Sequence, residues 1–326
     1  MGSFFSGLWN IWAVIAQLFP AKSLCDTKSK FSTNQIPDLS GQVMIVTVYM
    51  ASRSKDKAEA AIQELKEQTG KEAIFLELDL SNLTSVRKAA EEFLRHVKHT
   101  LSICPQSQLL NDWCYSKESA LHVLFNNAGM MWCPLDLLSA DGYDLQFATN
   151  VIGHYYFTKL LLPALLSGKE TAPDHHTHII HTSSSGAYLY TINWESFRDG
   201  PARRKMSTEQ LYYQTKFVNV LIAYQFAKQY ADQGIVSISL NPAGIDTELQ
   251  YGPPGPKSVT YPPSNGALTQ LYTGTMPKAL NYNGQFLIPW ARLGKCRREA
   301  YDDVLSEQLW SWLKEQVKDI GVSAES

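Results

Sequence analysis

The sequence predicts an α/β protein whose single domain is built on a doubly wound parallel sheet. From residue 42 onward, short apolar runs typical of buried strands alternate with longer helical patterns. This order is expected of a parallel sheet wrapped by helices. The composition agrees, since 44% of the 326 residues are hydrophobic and 18% are charged. No repeat or linker divides residues 39–321, so we predict one domain there and a lead-in at residues 1–38.

Each predicted element rests on the period of its apolar residues. Short apolar runs predict strands at Gln42–Thr47, Val48–Ala51, Ala73–Asp79, Leu121–Phe125, His178–Thr182, Ile235–Leu240 and Gln285–Ile288. Longer stretches with helical spacing predict helices at Lys55–Gln68, Leu83–Arg95, Leu145–Ser167, Thr208–Gln233, Asn265–Thr275 and Tyr301–Lys318.

One loop stands out because Gly252–Pro263 contains five prolines and two glycines, which exclude a helix or a strand. It follows the carboxyl end of a predicted strand, where open α/β sheets bind their ligands. We therefore expect either a lid over a substrate or a surface excursion, and the sequence favours neither.

Charge and cysteine content exclude some classes of function. A formal net charge of -2 argues against a nucleic-acid partner, because such proteins usually present a basic stripe. The odd number of scattered cysteines and the absence of any CxxC spacing predict free thiols in a reducing compartment, and hence a cytoplasmic protein. These residues are Cys25, Cys104, Cys114, Cys133 and Cys296.

The N-terminal segment Phe4–Phe19 is apolar, but it is too short and too often interrupted for a confident membrane span. It also lacks the basic start and the cleavage site of a signal peptide. Met1-Gly2 with Ser6 fits the loose myristoylation pattern, but we do not favour this modification because the pattern is so short. We favour a helix on the protein surface, with peripheral membrane contact through residues 4–19 as the alternative.

Tyr212 and Lys216 have the spacing that puts a phenol and an ammonium one turn apart on a helix face. An adjacent ammonium favours the phenolate, so such a tyrosine can serve as an acid and a base. The pattern is short, and the chain contains it three times, at Tyr155/Lys159, Tyr212/Lys216 and Tyr224/Lys228.

Context selects Tyr212/Lys216 among the three pairs. A strand with a serine run, His178–Ser185, precedes this pair, and Pro242-Ala-Gly-Ile-Asp-Thr247 follows it; farther upstream lie Asn126-Asn-Ala-Gly129 and Asn150. Over roughly residues 31–321 this order resembles the short-chain dehydrogenase/reductase family. The similarity is greatest to retinol-dehydrogenase-like and WW-domain-oxidoreductase-like members, particularly fungal ones. It implies a Rossmann-type sheet, and the other two Tyr/Lys pairs then fall at structural positions.

The resemblance implies four catalytic residues. Tyr212 would exchange a proton with the substrate oxygen while hydride moves between nicotinamide and carbon. Lys216 would hold the nicotinamide ribose and lower the pKa of Tyr212. Ser184, which matches the second serine of the family pair, would orient the substrate oxygen. Asn150 would position a water molecule of the proton relay.

The resemblance also implies cofactor contacts. Asp79 matches the residue that contacts adenine, and Asn126 and Ala128 would line the adenosine side. Ile245 and Thr247 match positions that hold the nicotinamide carboxamide and the phosphates.

Arg53 stands where the second strand of the family ends. A positive charge at this place suits the 2′-phosphate of NADP(H). The alternative is a solvated arginine at a charged helix start, since Lys55 and Lys57 follow. We favour NADP as the cofactor.

The sequence departs from the family pattern where a glycine-rich turn should cradle the pyrophosphate. Val43–Thr47 resembles the first strand and Val48–Arg53 the second, with nothing between them. A parallel crossover needs a dozen or more residues. We therefore predict a truncated first βαβ unit, with one continuous strand through Gln42–Ser52.

A second departure is an apparent insertion at residues 96–116, which interrupts the helical pattern with Cys104, Pro105 and Cys114. Because family pattern resumes on both sides of each departure, altered splicing or an imperfect gene model explains both. The rival explanation is lineage-specific variation that forms an extra surface loop.

We expect an NADP(H)-dependent oxidoreductase that interconverts an alcohol and a carbonyl, with a lipophilic small-molecule substrate and, as in many family members, a homodimer. The alternative is an impaired protein that acts as a non-catalytic binding module. A serine hydrolase is disfavoured because no Gly-x-Ser-x-Gly elbow surrounds Ser183–Ser185. Metal binding by His175, His176, His178 and His181 is disfavoured because their spacing matches no zinc pattern.

Overall fold

Six strands form one sheet in a computed structural model, which describes residues 29, 31–40, 42–46, 55–70, 73–102, 120–247, 249 and 260–320. The strands are β1 Met44–Val46, β2 Val123–Asn126, β3 Thr177–Thr182, β4 Ile235–Leu240, β5 Phe286–Ile288 and β6 Arg292–Gly294. They lie side by side in chain order. β1 to β5 are parallel, and β6 pairs antiparallel with β5.

The helices fill the connections between strands. They are α1 Lys55–Thr69, α2 Leu83–Ser102, α3 Leu145–Phe147, α4 His154–Gly168, α5 Pro201–Arg204, α6 Thr208–Tyr230, α7 Pro263–Thr275 and α8 Asp303–Val317. A π-helical turn, Ala148–Gly153, joins α3 to α4. Short 3-10 helices span Thr33–Gln35, Ser185–Tyr188, Trp194–Ser196, Ala231–Gln233, Pro277–Tyr282 and Arg298–Tyr301.

Apolar side chains cover both faces of the sheet, and this explains why its strands are continuous apolar runs in the sequence. Leu124 and Ile179 point to one face, where they join a core formed with α2, α4, α6 and α8. Phe125 and Ile180, the next residue on each strand, point to the other face and pack with Tyr272 of α7. This two-sided burial confirms the predicted α/β fold.

The predicted strand Ala73–Asp79 is wrong. The segment is extended, and Leu76, Leu78 and Leu80 are buried, but it has no strand assignment. A strand needs a neighbour for its backbone N–H and C=O groups, and no strand in the described part of the chain pairs with it. The family's second strand would be that neighbour, and its counterpart here, residues 47–54, lies outside the described residues.

Other boundaries differ by a few residues. Residues 96–102 of the expected insertion continue α2 instead of breaking it, while 103–116 lie outside the described residues. α7 begins at Pro263, a residue expected in the loop, because proline suits the first turn of a helix. β6 was not predicted, because its one apolar residue, Leu293, is exposed and gives no apolar run.

Several predictions fall on undescribed residues. The N-terminal helix at 4–19, the strand beyond Val46, Arg53 and most of the loop 252–263 lie outside the described residues. None of the helices that the structure describes is long and apolar enough to cross a membrane.

Gly153 lets the segment before α2 approach the π-helical turn. A Cβ atom at Gly153 would lie 2.3 Å from the backbone oxygen of Leu80, a contact that backbone cannot easily relieve. We expect Gly153→Ala to lower the free energy of unfolding by about 1–3 kcal/mol, as overpacking does. Urea titration measures this, and Ser167→Ala, at an exposed position of α4, should change stability by less than about 0.5 kcal/mol. Equal effects of both substitutions would contradict the close approach.

Candidate active site

The carboxyl ends of β2 and β3 place their following residues at one edge of the sheet, where α6 packs across β3 and β4. Open α/β sheets bind ligands at this edge. Three of the four predicted catalytic residues come from this region, namely Ser184 just after β3 and Tyr212 and Lys216 on α6. Asn150 joins them from the π-helical turn.

Lys216 is a buried ammonium held by the end of β3. Its Nζ donates a hydrogen bond of 3.0 Å to the carbonyl oxygen of Thr182. Ser183 Oγ donates in return to the carbonyl oxygen of Lys216, at 2.6 Å. Asn219, one turn later, donates to the same Thr182 oxygen at 3.2 Å. These bonds fix the position of α6 relative to the end of β3.

Tyr212 lies one turn before Lys216, with its ring centroid 5.5 Å from the ammonium nitrogen. Its hydroxyl group interacts with the side chain of Ser184, which favours the phenolate. Ser184 Oγ also accepts the N–H of Gly186 at 3.1 Å and so caps the following 3-10 helix. Ser183 is directed toward Lys216 and Ser184 toward Tyr212, which separates the roles of the two serines.

Asn150 is fully buried and bridges two segments of the site. Its Oδ1 accepts the N–H of Met130 at 2.8 Å, and its Nδ2 donates to the Met130 carbonyl oxygen at 2.9 Å. Nδ2 also lies 3.1 Å from Thr215 Oγ1, which donates to the Tyr212 carbonyl oxygen at 2.7 Å. A π-helical turn is rare and often marks a functional site.

Thr215 and Met130 were not identified from the sequence. Both adjoin recognised motifs, since Thr215 precedes Lys216 and Met130 follows the Asn-Asn-Ala-Gly run. Their position next to these motifs was the sequence signal that could have identified them. What these residues contribute is a hydroxyl bridge and a backbone amide, neither of which a side-chain motif reveals.

Burial sets the protonation of the catalytic pair. Desolvation raises the pKa of Tyr212 above its ordinary value, and the hydrogen bond from Ser184 opposes the rise. Desolvation lowers the pKa of Lys216 to about 8. The lowering of the Tyr212 pKa by Lys216 stays a prediction, and in the protein without cofactor desolvation sets the direction of the shift. The loss of hydration outweighs the attraction, because the ammonium is directed to the Thr182 carbonyl instead of the phenol oxygen.

A buried ion pair anchors the loop that follows Gly129. Arg203 Nε donates to Asp144 Oδ2 at 2.9 Å, and both side chains are at most 2% exposed. The guanidinium group also donates to the carbonyl oxygens of Leu135 and Leu137. The loop is thereby tied to α5, immediately before the catalytic helix.

Comparison with known proteins decides the family. No family model matches the chain. A short-chain dehydrogenase/reductase of Armillaria gallica is 46% identical over 335 residues, with 95% of this chain and 99% of that protein covered. An uncharacterized oxidoreductase of Schizosaccharomyces pombe is 32% identical over 338 residues, with 91% of each covered. The chain is a short-chain dehydrogenase/reductase.

The relatives confirm the predicted resemblance. By its family, this dehydrogenase/reductase is an oxidoreductase. Retinol dehydrogenase 11 of Mus musculus is 32% identical over 203 residues, with 62% of this chain and 54% of that protein covered. The alignment with the Armillaria protein spans 335 residues, more than the 326 of this chain, although it covers only 95% of it. The relative therefore has residues without a counterpart here.

Solved structures confirm the Rossmann-type fold of the dehydrogenase/reductase. An uncharacterized protein from Mycobacterium Paratuberculosis matches with a TM-score of 0.62 at 21% identity, over 89% of this chain and 98% of that one. The NADPH-bound carbonyl reductase from chicken fatty liver matches with a TM-score of 0.52 at 16% identity, over 78% and 86%. Identities this low show the fold alone.

The residues expected to contact adenosine differ in their burial and in their hydrogen-bond partners. The Asn126 side chain is buried and donates to Thr158 Oγ1 of α4 at 2.9 Å, so its side chain is not directed to the open edge. Ala128 is buried. Asp79 Oδ1 accepts from the N–H and the hydroxyl group of Ser81, at 2.9 and 2.7 Å.

The residues expected near the nicotinamide lie after β4. Ile245 forms a bridge with Tyr261 and packs against Gly266 at the start of α7. Thr247 is exposed. Arg53 lies outside the described residues, and so does the part of the chain that would replace the glycine-rich turn.

The two other Tyr/Lys pairs make structural contacts. Tyr224 Oη and Lys228 Nζ both donate to Asp303 Oδ1, at 3.0 and 2.7 Å, which joins α6 to α8. Lys159 Nζ donates to Tyr230 Oη at 2.7 Å and lies over the Trp310 ring.

The four histidines considered for metal binding do not lie together, since His178 is near the amino end of β3 and His181 near its carboxyl end. His122, His176 and His178 line a small cavity at the amino ends of β2 and β3, together with Asp174. Over the described parts of the chain, no group of three or more His, Cys, Asp or Glu residues is arranged to hold a metal ion.

The lowered pKa of Lys216 gives the protein a measurable pH dependence. The folded protein loses this proton near pH 8, whereas the unfolded chain keeps it to about pH 10.4. Between these values the unfolded state binds more protons, so stability rises with pH. We expect Lys216→Met to be more stable than wild type at pH 7 by up to about 3 kcal/mol, with the gap closing by pH 10.

Urea titrations at several pH values measure this difference. Lys314→Met, which removes an exposed lysine of α8, should leave the pH dependence unchanged. A constant difference between wild type and Lys216→Met across this range would contradict a lowered pKa.

Proposed function

We propose that this chain is an NADP(H)-dependent oxidoreductase that interconverts an alcohol and a carbonyl on a lipophilic small molecule. The observation that carries the proposal is the assembly of Ser184, Tyr212, Lys216 and Asn150 at one edge of the sheet. A buried phenol that interacts with a serine hydroxyl group supplies a proton donor beside a group that orients a substrate oxygen.

The residues around Lys216 fit a nicotinamide nucleotide. A Cβ atom at Gly129 would lie 3.0 Å from Asn150 Oδ1 and 3.7 Å from Lys216 Nζ, so the glycine keeps the space beside the ammonium open. Thr182 takes one of the three Lys216 donors, and a ribose hydroxyl would accept from another. The bound cofactor supplies or receives the hydride.

The chain's own residues perform the proton chemistry. In reduction, Ser184 Oγ donates to the carbonyl oxygen, and Tyr212 Oη transfers its proton to the same oxygen. Lys216 lies one turn after Tyr212, and Asn150 is linked through Thr215 to the backbone carbonyl oxygen of Tyr212. We assign to them the return of the proton to Tyr212. Because burial favours the neutral phenol, Tyr212 begins this step as the acid.

The NADP preference is supported by Arg53, which provides the charge that a 2′-phosphate requires. The carbonyl reductase from chicken fatty liver, which shares the fold, is NADPH bound. The contacts to adenine and to the phosphates are assigned to Asp79, Asn126, Ala128, Ile245 and Thr247 by their positions in the family pattern.

The lipophilic substrate is supported by the retinol dehydrogenase among the relatives and by the apolar run at residues 4–19. We assign the protein to the cytoplasm, with peripheral membrane contact through residues 4–19, and we propose a homodimer because the family often forms one through its helices.

A second candidate is a non-catalytic binding module. It is favoured by the eight residues, 47–54, between β1 and α1, which are too few for the glycine-rich turn and its helix. Losing backbone hydrogen bonds to pyrophosphate, each worth about 1.5–3 kcal/mol, weakens cofactor affinity. Altered splicing or an imperfect gene model would explain the shortfall, and sequencing of the transcript tests that origin.

Tyr212→Phe distinguishes the two candidates. We expect kcat with NADPH and a lipophilic aldehyde panel to fall by about 10²–10⁴-fold, because the acid is removed while the ring remains. NADPH affinity should change by less than about twofold. Tyr155→Phe is the matched control, since its buried hydroxyl belongs to a structural Tyr/Lys pair, and it should keep wild-type turnover. Turnover that survives Tyr212→Phe would exclude the acid role.

Arg53→Glu tests the cofactor preference. We expect NADPH affinity to fall about 10–100-fold relative to NADH, the equivalent of one charged hydrogen bond. Arg298→Glu makes the same charge change on an exposed 3-10 helix and should leave the ratio unaltered. An unaltered ratio in Arg53→Glu would mean that Arg53 is a solvated arginine.

A further inference from the structure

Three buried polar atoms behind the candidate active site have no hydrogen-bond partner among the described residues. They are Asn126 Oδ1, His154 Nε2 and His181 Nε2. All three residues are at most 3% exposed. Leaving a buried polar atom unpaired costs about 1–3 kcal/mol, so three such atoms in one region indicate a shared ligand.

The fold brings these residues together. Asn126 and His181 are register partners on β2 and β3, so their side chains point to the same face of the sheet. This face packs against α4, whose first residue is His154. Asn126 Nδ2 donates to Thr158 Oγ1, which donates to the His154 carbonyl oxygen at 2.7 Å. The rings of His154 and His181 are electrostatic neighbours.

His154 connects this cluster to the active site. Its Nδ1 lies 3.2 Å from the carbonyl oxygen of Asn150, which can only accept. Nδ1 therefore carries the ring proton, and Nε2 presents a lone pair to the interior. Burial lowers the pKa of both His154 and His181 to about 3, so both rings are neutral at physiological pH.

We propose that Asn126, His154 and His181 bind one water molecule, which keeps His154 in the tautomer that positions the Asn150 carbonyl group. The donors and acceptors balance. One water hydrogen goes to His154 Nε2 and the other to Asn126 Oδ1, while the Nε2–H of His181 donates to the water oxygen. Internal waters make two to four such bonds in polar cavities.

The role of His154 is that of a positioning residue. Its backbone N–H donates to the Val151 carbonyl oxygen, so the imidazole ring, and not the His154 amide, contacts the Asn150 carbonyl. This ring contact holds the π-helical turn that carries Asn150. This part of the inference rests on the proposed function, because Asn150 matters to turnover only if the site is catalytic.

The tautomer is measured directly on the full chain without cofactor. Selective ¹⁵N labelling of the eight histidines and two-bond ¹H–¹⁵N correlation spectra distinguish Nδ1–H from Nε2–H, and His154→Asn identifies the His154 signals by their loss. We expect His154 as Nδ1–H in the wild type, and a shifted Nε2 resonance in His181→Phe. His178→Phe, a buried histidine at the amino end of β3, should leave the His154 signals unchanged.

An Nε2–H tautomer for His154 in the folded wild type would overturn the proposal, as would a His154 Nε2 resonance unaffected by His181→Phe. Thermal melts of each variant confirm folding. If His181→Phe does not fold, His181→Asn replaces it, with the same expected shift.

Turnover tests the positioning role. We expect His154→Phe to lower kcat about tenfold with KM within twofold, and His154→Asn, whose amide reaches the position of Nδ1, to restore most of it. His154→Gln, which reaches the position of Nε2, should not. Equal losses in all three would overturn the positioning role, whereas an inactive wild type would sink the proposed function and leave the tautomer measurement standing.

Discussion

The buried ammonium of Lys216 is the constraint on which the candidate site depends. An isolated charge inside a protein is costly unless polar groups solvate it. The end of β3 provides that solvation, because the Thr182 carbonyl oxygen accepts from Lys216 Nζ while Ser183 secures the Lys216 carbonyl. These bonds set the position of α6 along the strand. Tyr212, one turn earlier, is thereby placed beside Ser184. The hydrogen bonds that compensate for burying the Lys216 ammonium therefore also position the Tyr212 hydroxyl group.

Asn150 is brought to the same edge of the sheet by a different element, the π-helical turn Ala148–Gly153. The π-helical turn and the two hydrogen bonds to Met130 fix the asparagine side chain, and Thr215 links it to the first turns of α6. None of these contacts involves the segment between β1 and α1. The four predicted catalytic residues are therefore positioned by β3 and the helices on either side of it, whereas the sequence between β1 and α1 is too short for the family's glycine-rich turn and its helix.

The sequence alone predicted five of the six strands that the structure describes, because they are apolar runs that pack on both faces of the sheet. It failed at Ala73–Asp79, where the residues have strand character but no strand in the described part of the chain pairs with them. It also missed β6, whose one apolar residue, Leu293, is exposed. In the site, motif order identified Ser184, Tyr212 and Lys216. Thr215, Met130 and His154 act through a bridging hydroxyl, a backbone amide and a ring tautomer, and these features depend on three-dimensional packing.

The proposed function requires this chain to hold a nicotinamide nucleotide beside Tyr212 without the glycine-rich turn. Titration of the purified 326-residue chain with NADPH, followed by cofactor fluorescence and with NADH as the comparison, tests it most directly. We expect saturable binding that prefers NADPH. A chain that is folded by circular dichroism and shows no saturable binding would contradict the account, and Tyr212 and Lys216 would then be relics of a longer, catalytic form.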